Sequence, residues 1–174
     1  MRGDTSSPSP SSRGGEGTKN MFHVVLFQPE IPPNTGNIIR LCANTGATLH
    51  LVHPLGFEIT AARVKRAGLD YREMASVHEH ADLESYMKDV APARVLAVST
   101  RGRQPYADMH YKDGDALLFG PETRGLPQNL LDALPLEQVL RIPMRPDNRS
   151  LNLSNAVAIV VYEAWRQMDF EGGR

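Results

Sequence analysis

Apolar runs of strand length alternate along the chain with segments of helical period. The expected strands occupy residues 22–27, 49–52, 94–100, 116–119 and 139–142, and a brief further strand is expected at 74–77. The runs at 94–100 and 116–119 are nearly continuous, which is typical of parallel strands buried on both faces. Strands that alternate with helices predict an α/β fold, in which one parallel sheet is flanked by helices.

Four helices are expected between and after these strands. Their cap and breaker residues bound them at 34–45, 59–67, 81–90 and 153–165. Asn34 is the expected N-cap of the first helix, and Gly46 is its expected C-terminal stop. Gly68 and Pro92 are expected to end the second and third helices.

The last helix is apolar on almost every side. Its apolar residues follow helical spacing from Leu153 to Trp165, and Asn152 or Ser154 is the expected N-cap. A helix of this kind must be covered on more than one side, either by its own sheet or by a partner subunit.

The first 20 residues differ in composition from the rest of the chain. Ser, Pro, Gly and charged residues fill this segment without apolar periodicity, so residues 1–20 are expected to be a disordered tail. The remainder has neither internal repeats nor a linker. We therefore expect a single domain at 21–170 and a short C-terminal tail at 171–174.

Composition narrows the functional classes. With 41% hydrophobic and 22% charged residues, the 174-residue chain has the composition of an ordinary globular domain. No apolar run is long enough to span a bilayer, and the pattern of a signal peptide is missing. The single Cys42 excludes an intrachain disulfide, so a cytoplasmic location is expected.

The charge balance bears on nucleic-acid binding. The formal net charge of −1 argues against a protein-wide basic field of the kind that small nucleic-acid binders carry. RNA contacts would therefore have to come from a local cluster such as Arg63, Lys65, Arg66 and Arg72. The same cluster is also typical of an ordinary solvated helix face.

Polar segments follow three of the predicted strands, at 100–103, 120–125 and 143–152. Ligands of open parallel α/β sheets bind at the carboxyl ends of the strands. If the three strands are neighbours, these segments build one pocket. Neither G-x-G-x-x-G nor G-x-x-x-x-G-K-[ST] occurs, which argues against the usual dinucleotide and nucleoside triphosphate sites.

Other side chains allow more than one interpretation. His78 and His80 form an H-x-H pair without a Cys or carboxylate constellation, which favours surface histidines over a metal site. Arg40 shares one face of the first helix with Asn37 and Asn44, so a rigid element would present its guanidinium. An ion pair between Arg40 and a carboxylate is the equally open alternative.

Three motifs together carry a family resemblance. N-x-x-R at 37–40, F-G-x-E-x-x-G at 119–125 and S-L-N-L-S-N-A at 150–156 stand in this order along the chain. They resemble the three motifs of the SPOUT family of RNA methyltransferases, in its 2′-O-ribose branch. The resemblance runs from residue 21 to about residue 170 and is to the small members without an added RNA-binding domain.

The resemblance implies a specific fold and activity. The SPOUT fold is a parallel sheet flanked by helices with a deep trefoil knot in the C-terminal half, and the implied assembly is a homodimer. The implied reaction transfers a methyl group from S-adenosylmethionine to the ribose 2′-hydroxyl of the wobble nucleotide, a cytidine or modified uridine, in the tRNA anticodon stem-loop. The product is S-adenosylhomocysteine, and the resemblance implies neither a metal nor a membrane.

The resemblance also assigns residue roles. Arg40 is the implied catalytic residue, and we expect it to orient the hydroxyl and stabilise the alkoxide, because a guanidinium with a pKa above about 12 is a poor base. The residues implied to hold the cofactor are Val98, Gly120, Leu126, Ile142, Ser150 and Leu151. Those implied to shape the site or contact RNA are Asn37, Glu122, Arg124, Arg145, Arg149, Ser154 and Asn155.

Other functional classes remain open at this point. A non-catalytic RNA-binding or assembly protein on the same fold would bind tRNA but not the methyl donor. A small-molecule α/β enzyme would use the three-loop pocket for a different ligand. A methyltransferase of the same family could act on another RNA nucleotide, which mapping of the methylated position would reveal.

Overall fold

The computed structural model describes residues 21–174, and the predicted N-terminal tail lies outside these residues. Within them, seven strands form one sheet in the order β3-β2-β1-β6-β4-β7-β5, and every pair of neighbouring strands is parallel. The prediction of a parallel α/β sheet is therefore confirmed.

The elements follow one another with short connections. The strands are β1 (Phe22–Phe27), β2 (Thr48–Val52), β3 (Val77–His80), β4 (Val95–Val98), β5 (Gln104–Pro105), β6 (Asp115–Phe119) and β7 (Val139–Arg141). The helices are α1 (Pro32–Thr45), α2 (Ala61–Arg66), α3 (Tyr71–Met74), α4 (Leu83–Val90), α5 (Gln128–Asp132) and α6 (Leu153–Gln167). Two single 3₁₀ turns, Tyr106–Asp108 and Leu136–Gln138, complete the described chain.

The sheet is covered on both faces. Every residue of β2 and β6 is buried, including the polar residues Thr48, His50 and Asp115. Because successive strand residues point to opposite faces, Val24 packs with the cluster that contains α1 and α6, while Val25 packs with the cluster that contains Tyr86 of α4. The α6 residues in the first cluster are Leu153, Val157, Val160, Val161, Ala164 and Trp165.

Several predicted helix ends are confirmed. Gly46 ends α1 with a φ of 76°, a left-handed conformation that glycine adopts without a steric penalty. Asn152 is the N-cap of α6, where its side-chain oxygen accepts hydrogen bonds from the backbone N–H groups of Ser154 and Asn155. Of the two predicted N-cap candidates, Asn152 and not Ser154 therefore caps α6.

The prediction of Asn34 as the N-cap of α1 is wrong. The helix begins at Pro32, and Ile31 is the N-cap without a side-chain hydrogen bond. Proline is well suited to the first helical position because its missing N–H would have no intrahelical partner there. Asn34 instead lies within the first turn, where its side chain is free to bond to residues outside α1.

The predicted strand at 74–77 is also wrong. Residues Tyr71–Met74 form α3, and the strand β3 begins only at Val77. Asp70 and Glu73 explain the difference, because each side chain accepts a hydrogen bond from the backbone N–H of the other in a capping box. Strand β4 is shorter than predicted, and the short elements β5 and α5 carry too few residues for a recognisable period.

Two further observations concern the ends and helices of the described chain. The indole N–H of Trp165 donates to the backbone oxygen of Glu171 at 3.0 Å, so the residues after α6 fold back onto it. Within residues 21–174, each helix is too short or too polar to cross a bilayer.

Candidate active site

A cavity of about 440 Å³ opens at the carboxyl ends of β4, β6 and β7. These strands are neighbours in the sheet, so the three polar segments that follow them meet there, as predicted. The predicted cofactor-binding residues all line this cavity, and they are Val98, Gly120, Leu126, Ile142, Ser150 and Leu151. Glu122 and Arg124 line it as well.

Backbone forms much of the wall. A Cβ added to Gly120 would collide with the backbone of Gly125 and Leu126, so only glycine permits the 120–126 turn to fold back on its own strand. Gly125 has a φ of 67° within the same turn. Arg101, which the sequence analysis did not single out, clamps the turn by donating to the backbone oxygen of Leu126 and, at 2.6 Å, to Gln128 Oε1.

Glu122 connects this turn to the start of α1. Its Oε2 accepts a hydrogen bond from the backbone N–H of Glu30 at 2.7 Å, and its Oε1 accepts one from that of Ile31 at 3.1 Å. A carboxylate at this end of α1 also interacts favourably with the helix dipole. The Glu122 carboxylate therefore holds the β6 loop against the N-terminus of α1.

Asn34 extends this connection to α6. Its Nδ2 donates to Glu122 Oε1 at 3.3 Å, and its Oδ1 accepts from Asn152 Nδ2 at 2.9 Å. Since Asn152 caps α6, one chain of hydrogen bonds joins the β6 loop, α1 and α6. Asn34 is a site residue that the sequence analysis missed, and its signal was a polar residue on the buried side of an apolar helix.

Arg40 and Asn37 line a different cavity, of about 480 Å³, between α1 and α2. Nε of Arg40 donates to Glu73 Oε1 at 3.0 Å, and its Nη2 donates to the backbone oxygen of Gly68 at 2.7 Å. The ion pair that the sequence left open is therefore present. The six residues predicted to bind the cofactor lie together around the first cavity. Arg40 and Asn37 do not line that cavity.

The remaining predicted residues surround the first cavity. Arg124 is largely exposed and donates to Gln28 Oε1 at 2.8 Å. Arg145 and Arg149 are exposed on the loop between β7 and α6. Ser154 and Asn155 lie in the first turn of α6, next to the cavity residue Leu153.

The histidine pair forms part of a larger chain. His50 Nδ1 lies 2.9 Å from His80 Nε2, and His50 Nε2 lies 3.0 Å from His23 Nδ1. The interpretation of His80 as a surface histidine is therefore wrong, although His78 is exposed. Burial, helped by its neighbouring histidines, lowers the pKa of His50 to about 3. No His, Cys, Asp and Glu cluster in residues 21–174 is arranged to hold a metal ion.

The first cavity suits a nucleoside-like ligand with a charged tail. Val98, Leu126 and Ile142 offer apolar walls for a flat ring, and the glycine-containing turn lets backbone groups approach the ligand closely. Its volume falls within the range of small-molecule sites. These residues therefore fit S-adenosylmethionine, which combines an adenine ring with polar ribose and amino-acid groups.

Known proteins resemble this chain along most of its length. It is 57% identical over 152 residues to the tRNA (cytidine(34)-2′-O)-methyltransferase of Escherichia coli (strain K12), with 87% of this chain and 97% of that protein aligned. It is 59% identical over 155 residues to the protein of the same name from Burkholderia cenocepacia (strain HI2424), with 88% and 99% aligned.

Solved structures and a family model agree with these relatives. A structure described as giving insights into the 2-OH methylation of C/U34 on tRNA has a TM-score of 0.78 and 44% identity, covering 87% of this chain and 98% of its own. An AdoMet-bound rRNA methyltransferase from Sinorhizobium meliloti has a TM-score of 0.71 and 28% identity, covering 86% and 57%. Residues 21–162 match the model of the SpoU rRNA Methylase family. The chain therefore belongs to the SpoU methylase family.

Proposed function

We propose that this protein transfers the methyl group of S-adenosylmethionine to the ribose 2′-hydroxyl of the wobble nucleotide, a cytidine or modified uridine, in tRNA. The observation that carries the proposal is the 57% identity across 97% of the Escherichia coli tRNA (cytidine(34)-2′-O)-methyltransferase. The cavity at the strand ends supports it, because its residues fit the methyl donor. Since the substrate is tRNA, we place the activity in the cytoplasm.

The cavity residues divide the work of holding the cofactor. Val98, Leu126 and Ile142 would pack against the adenine, while the backbone near Gly120 and the Ser150–Leu151 segment would bond to the polar groups. When bound, S-adenosylmethionine supplies an electrophilic methyl group on a sulfonium. The clamp by Arg101 and the bonds of Glu122 keep the 120–126 turn in place, so the cavity is preorganised.

The chemistry requires the 2′-oxygen in line with that methyl group. The oxygen forms its bond to the methyl carbon as the carbon–sulfur bond breaks, and its proton passes to an RNA phosphate oxygen. Arg40 orients the hydroxyl and stabilises the developing alkoxide, because a guanidinium donates hydrogen bonds but is a poor base. Its contacts with Glu73 and Gly68 fix the direction of this side chain.

A second copy of the chain completes the reacting centre in this proposal. Arg40 and the cofactor-binding residues line different cavities of one chain. In the proposed dimer, the Arg40 of one subunit therefore acts on the methyl donor held by the other subunit. Exposed apolar side chains beside the cofactor cavity and on α6 support a homodimer, namely Ile31, Leu151 and Tyr162. The exposed Arg124, Arg145 and Arg149 would then contact phosphates of the anticodon stem-loop.

Mixed dimers test the shared centre. Subunits with Arg40→Ala would be combined in equal amounts with subunits carrying Ile142→Trp, which fills the cofactor cavity. Each homodimer is expected to be inactive, whereas the mixture recovers roughly a quarter of the wild-type rate, since half of the dimers are mixed and each has one intact site. A mixture that stays inactive, although both variants fold and dimerise, would show that Arg40 does not act across the interface.

We also propose that the C-terminal half contains a trefoil knot. Strand β7 lies between β4 and β5, so the connection from β4 to β5 must pass across it. The backbone N–H of Ser99 donates to Leu140 O at 3.0 Å, and a Cβ on Gly102 would collide with Leu140, so this connection packs tightly over β7. An experimental trace of residues 95–167 checks the threading.

One assay separates the open functional classes. Calorimetry with S-adenosylmethionine is followed by methyl transfer to unmodified tRNA and mapping of the ribose-methylated position, with Lys88→Gln on α4 as a control variant. The proposal expects binding, transfer and methylation at the wobble nucleotide. Binding of tRNA without the methyl donor would indicate a non-catalytic RNA-binding protein, and methylation elsewhere would indicate a different RNA target.

A further inference from the structure

The cavity between α1 and α2 has the character of a second ligand site. Its interior is mainly apolar and includes Ile39, Phe57, Ile59 and Leu69. Its volume of about 480 Å³ exceeds that of a single pyrimidine ring, so a substituted base would also fit. The cofactor-binding residues described above belong to the other cavity, which leaves this one without an assigned ligand.

Thr35 lines this cavity and carries an unused hydrogen-bonding group. The residue is 2% exposed, and its buried hydroxyl has no hydrogen-bond partner within the described residues. A threonine in a helix usually donates to the carbonyl four residues earlier, and Thr45 of the same helix does so, to Leu41 O at 2.9 Å. Because buried hydroxyls are normally paired, that of Thr35 points to a polar ligand atom.

The rim of the cavity is cationic. Arg63 and Arg66 of α2 line the cavity together with Arg40. No residue of α2 is buried, so both arginines are accessible. Arg40, Arg94 and Arg166 each form an ion pair, but the side chains of Arg63 and Arg66 have no ion-pair partner within residues 21–174. In a protein with a net charge of −1, unpaired arginines beside an apolar cavity favour a ligand that carries phosphates.

We infer that this cavity receives the nucleobase of the methylated nucleotide, unstacked from the anticodon loop, while Arg63 and Arg66 contact the neighbouring phosphates. The inference rests on the proposed function, because Arg40 lines the same cavity and would face the 2′-hydroxyl of that nucleotide. The Thr35 hydroxyl bonds to the base edge. Glu58, the carboxylate in the lining, accepts from the exocyclic amine when the base is cytosine.

Two kinds of variant test the inference. Thr35→Val removes the hydroxyl with little change in shape, and Ala67→Phe, at the C-cap of α2, fills the cavity. Both are expected to raise KM for an anticodon stem-loop about tenfold and to leave Kd for S-adenosylmethionine unchanged. The double variant Arg63→Gln/Arg66→Gln weakens RNA binding and its salt dependence, whereas Lys88→Gln, on the opposite face of the sheet, changes neither.

A fluorescent base supplies a second readout that does not depend on turnover. Pyrrolocytidine at the wobble position is expected to brighten on binding wild-type protein, because its base leaves the stack, and to brighten much less with Ala67→Phe. If the wild-type protein does not methylate the natural wobble nucleotide of tRNA, the proposed function is wrong. If it does, but Thr35→Val and Ala67→Phe keep wild-type KM values and fluorescence, the nucleobase site is wrong. Should Ala67→Phe not fold, Thr35→Val alone decides between these outcomes.

Discussion

Arg40 Nε donates to Oε1 of Glu73 at 3.0 Å across a sequence separation of 33 residues. The other oxygen of Glu73 accepts from the backbone N–H of Asp70 at 2.7 Å, within the capping box of α3. One carboxylate thus holds the start of a short helix and the proposed catalytic guanidinium at the same time. The capping box of α3 therefore also holds the Arg40 side chain in position.

Glu73→Gln is expected to lower kcat about tenfold while KM for tRNA and Kd for S-adenosylmethionine stay near wild type. The amide keeps an acceptor for the cap but loses the charge that orients the guanidinium, and an ion pair this exposed adds little stability. Single-turnover rates and thermal unfolding measure the two effects separately. Glu84→Gln on α4 is the matched control, and equal rates for both variants would remove Glu73 from this role.

Arg40→Lys is expected to lower the rate of methyl transfer about 100-fold without changing Kd for the methyl donor. A lysine keeps the positive charge but cannot present two N–H groups in the geometry of a guanidinium, so transition-state stabilisation is lost. A pH–rate profile checks the assignment. An unchanged rate and an unchanged pH dependence would show that Arg40 takes no part in the chemistry.

Asn34→Ala is expected to destabilise the fold by about 1–3 kcal/mol and to weaken binding of S-adenosylmethionine. The substitution removes both bonds of the buried amide, to Glu122 and to Asn152, so the β6 loop and the start of α6 lose their connection. Urea unfolding and calorimetry measure the two losses. Asn44→Ala, an exposed position on the same helix, should leave both quantities unchanged.

The free energy of unfolding is expected to decrease as the pH drops below about 6.5, because of His50. Burial lowers the folded-state pKa of His50 to about 3, whereas in the unfolded chain it titrates near 6.5. The unfolded state therefore binds the extra proton as the pH falls from 6.5 toward 3, and stability is lost at up to about 1.4 kcal/mol per pH unit for this group. Above pH 6.5 its contribution is fully present.

Neighbouring groups act on the same titration. Burial also lowers the pKa values of His23 and His80, while Asp113 and Asp89 respectively oppose these shifts. His78 and Tyr86 complete the set of titratable groups around His50. Urea unfolding of wild type and His50→Leu between pH 5 and 7.5 tests the effect, and equal pH slopes in the two proteins would exclude His50 as its source.

Most of the buried parallel strands could be predicted because they consist largely of apolar residues. β6 is buried at every position, and its apolar run from Ala116 to Phe119 was sufficient to predict it. β3 has the sequence VHEH, and its inward-facing His80 is accommodated by a bond to His50 rather than by apolarity. No local pattern contains that partner, so the sequence carries no signal for a strand at Val77–His80.

The candidate site also has a part that the sequence predicts and a part that it does not. The three loops of the first cavity could be anticipated because they follow predicted strands at one edge of the sheet, whereas the individual residues proposed to hold the cofactor came from the family resemblance. The place of Asn34 could not, because its two partners lie 88 and 118 residues away along the chain. The Arg40 side chain is held by Glu73, and in our proposal it acts at the cofactor cavity of a partner subunit. Residue spacing along the chain predicts neither relationship.

The bond between Asn34 and Asn152 places the beginnings of α1 and α6 at the mouth of the proposed methyl-donor cavity. A ligand that orders this mouth also secures the base of α6, whose outer surface carries Tyr162. In the proposed homodimer, thermodynamic reciprocity then couples the two events: if binding of the methyl donor strengthens subunit association, association strengthens binding of the donor by the same factor. Dilution of the protein should therefore weaken its hold on S-adenosylmethionine.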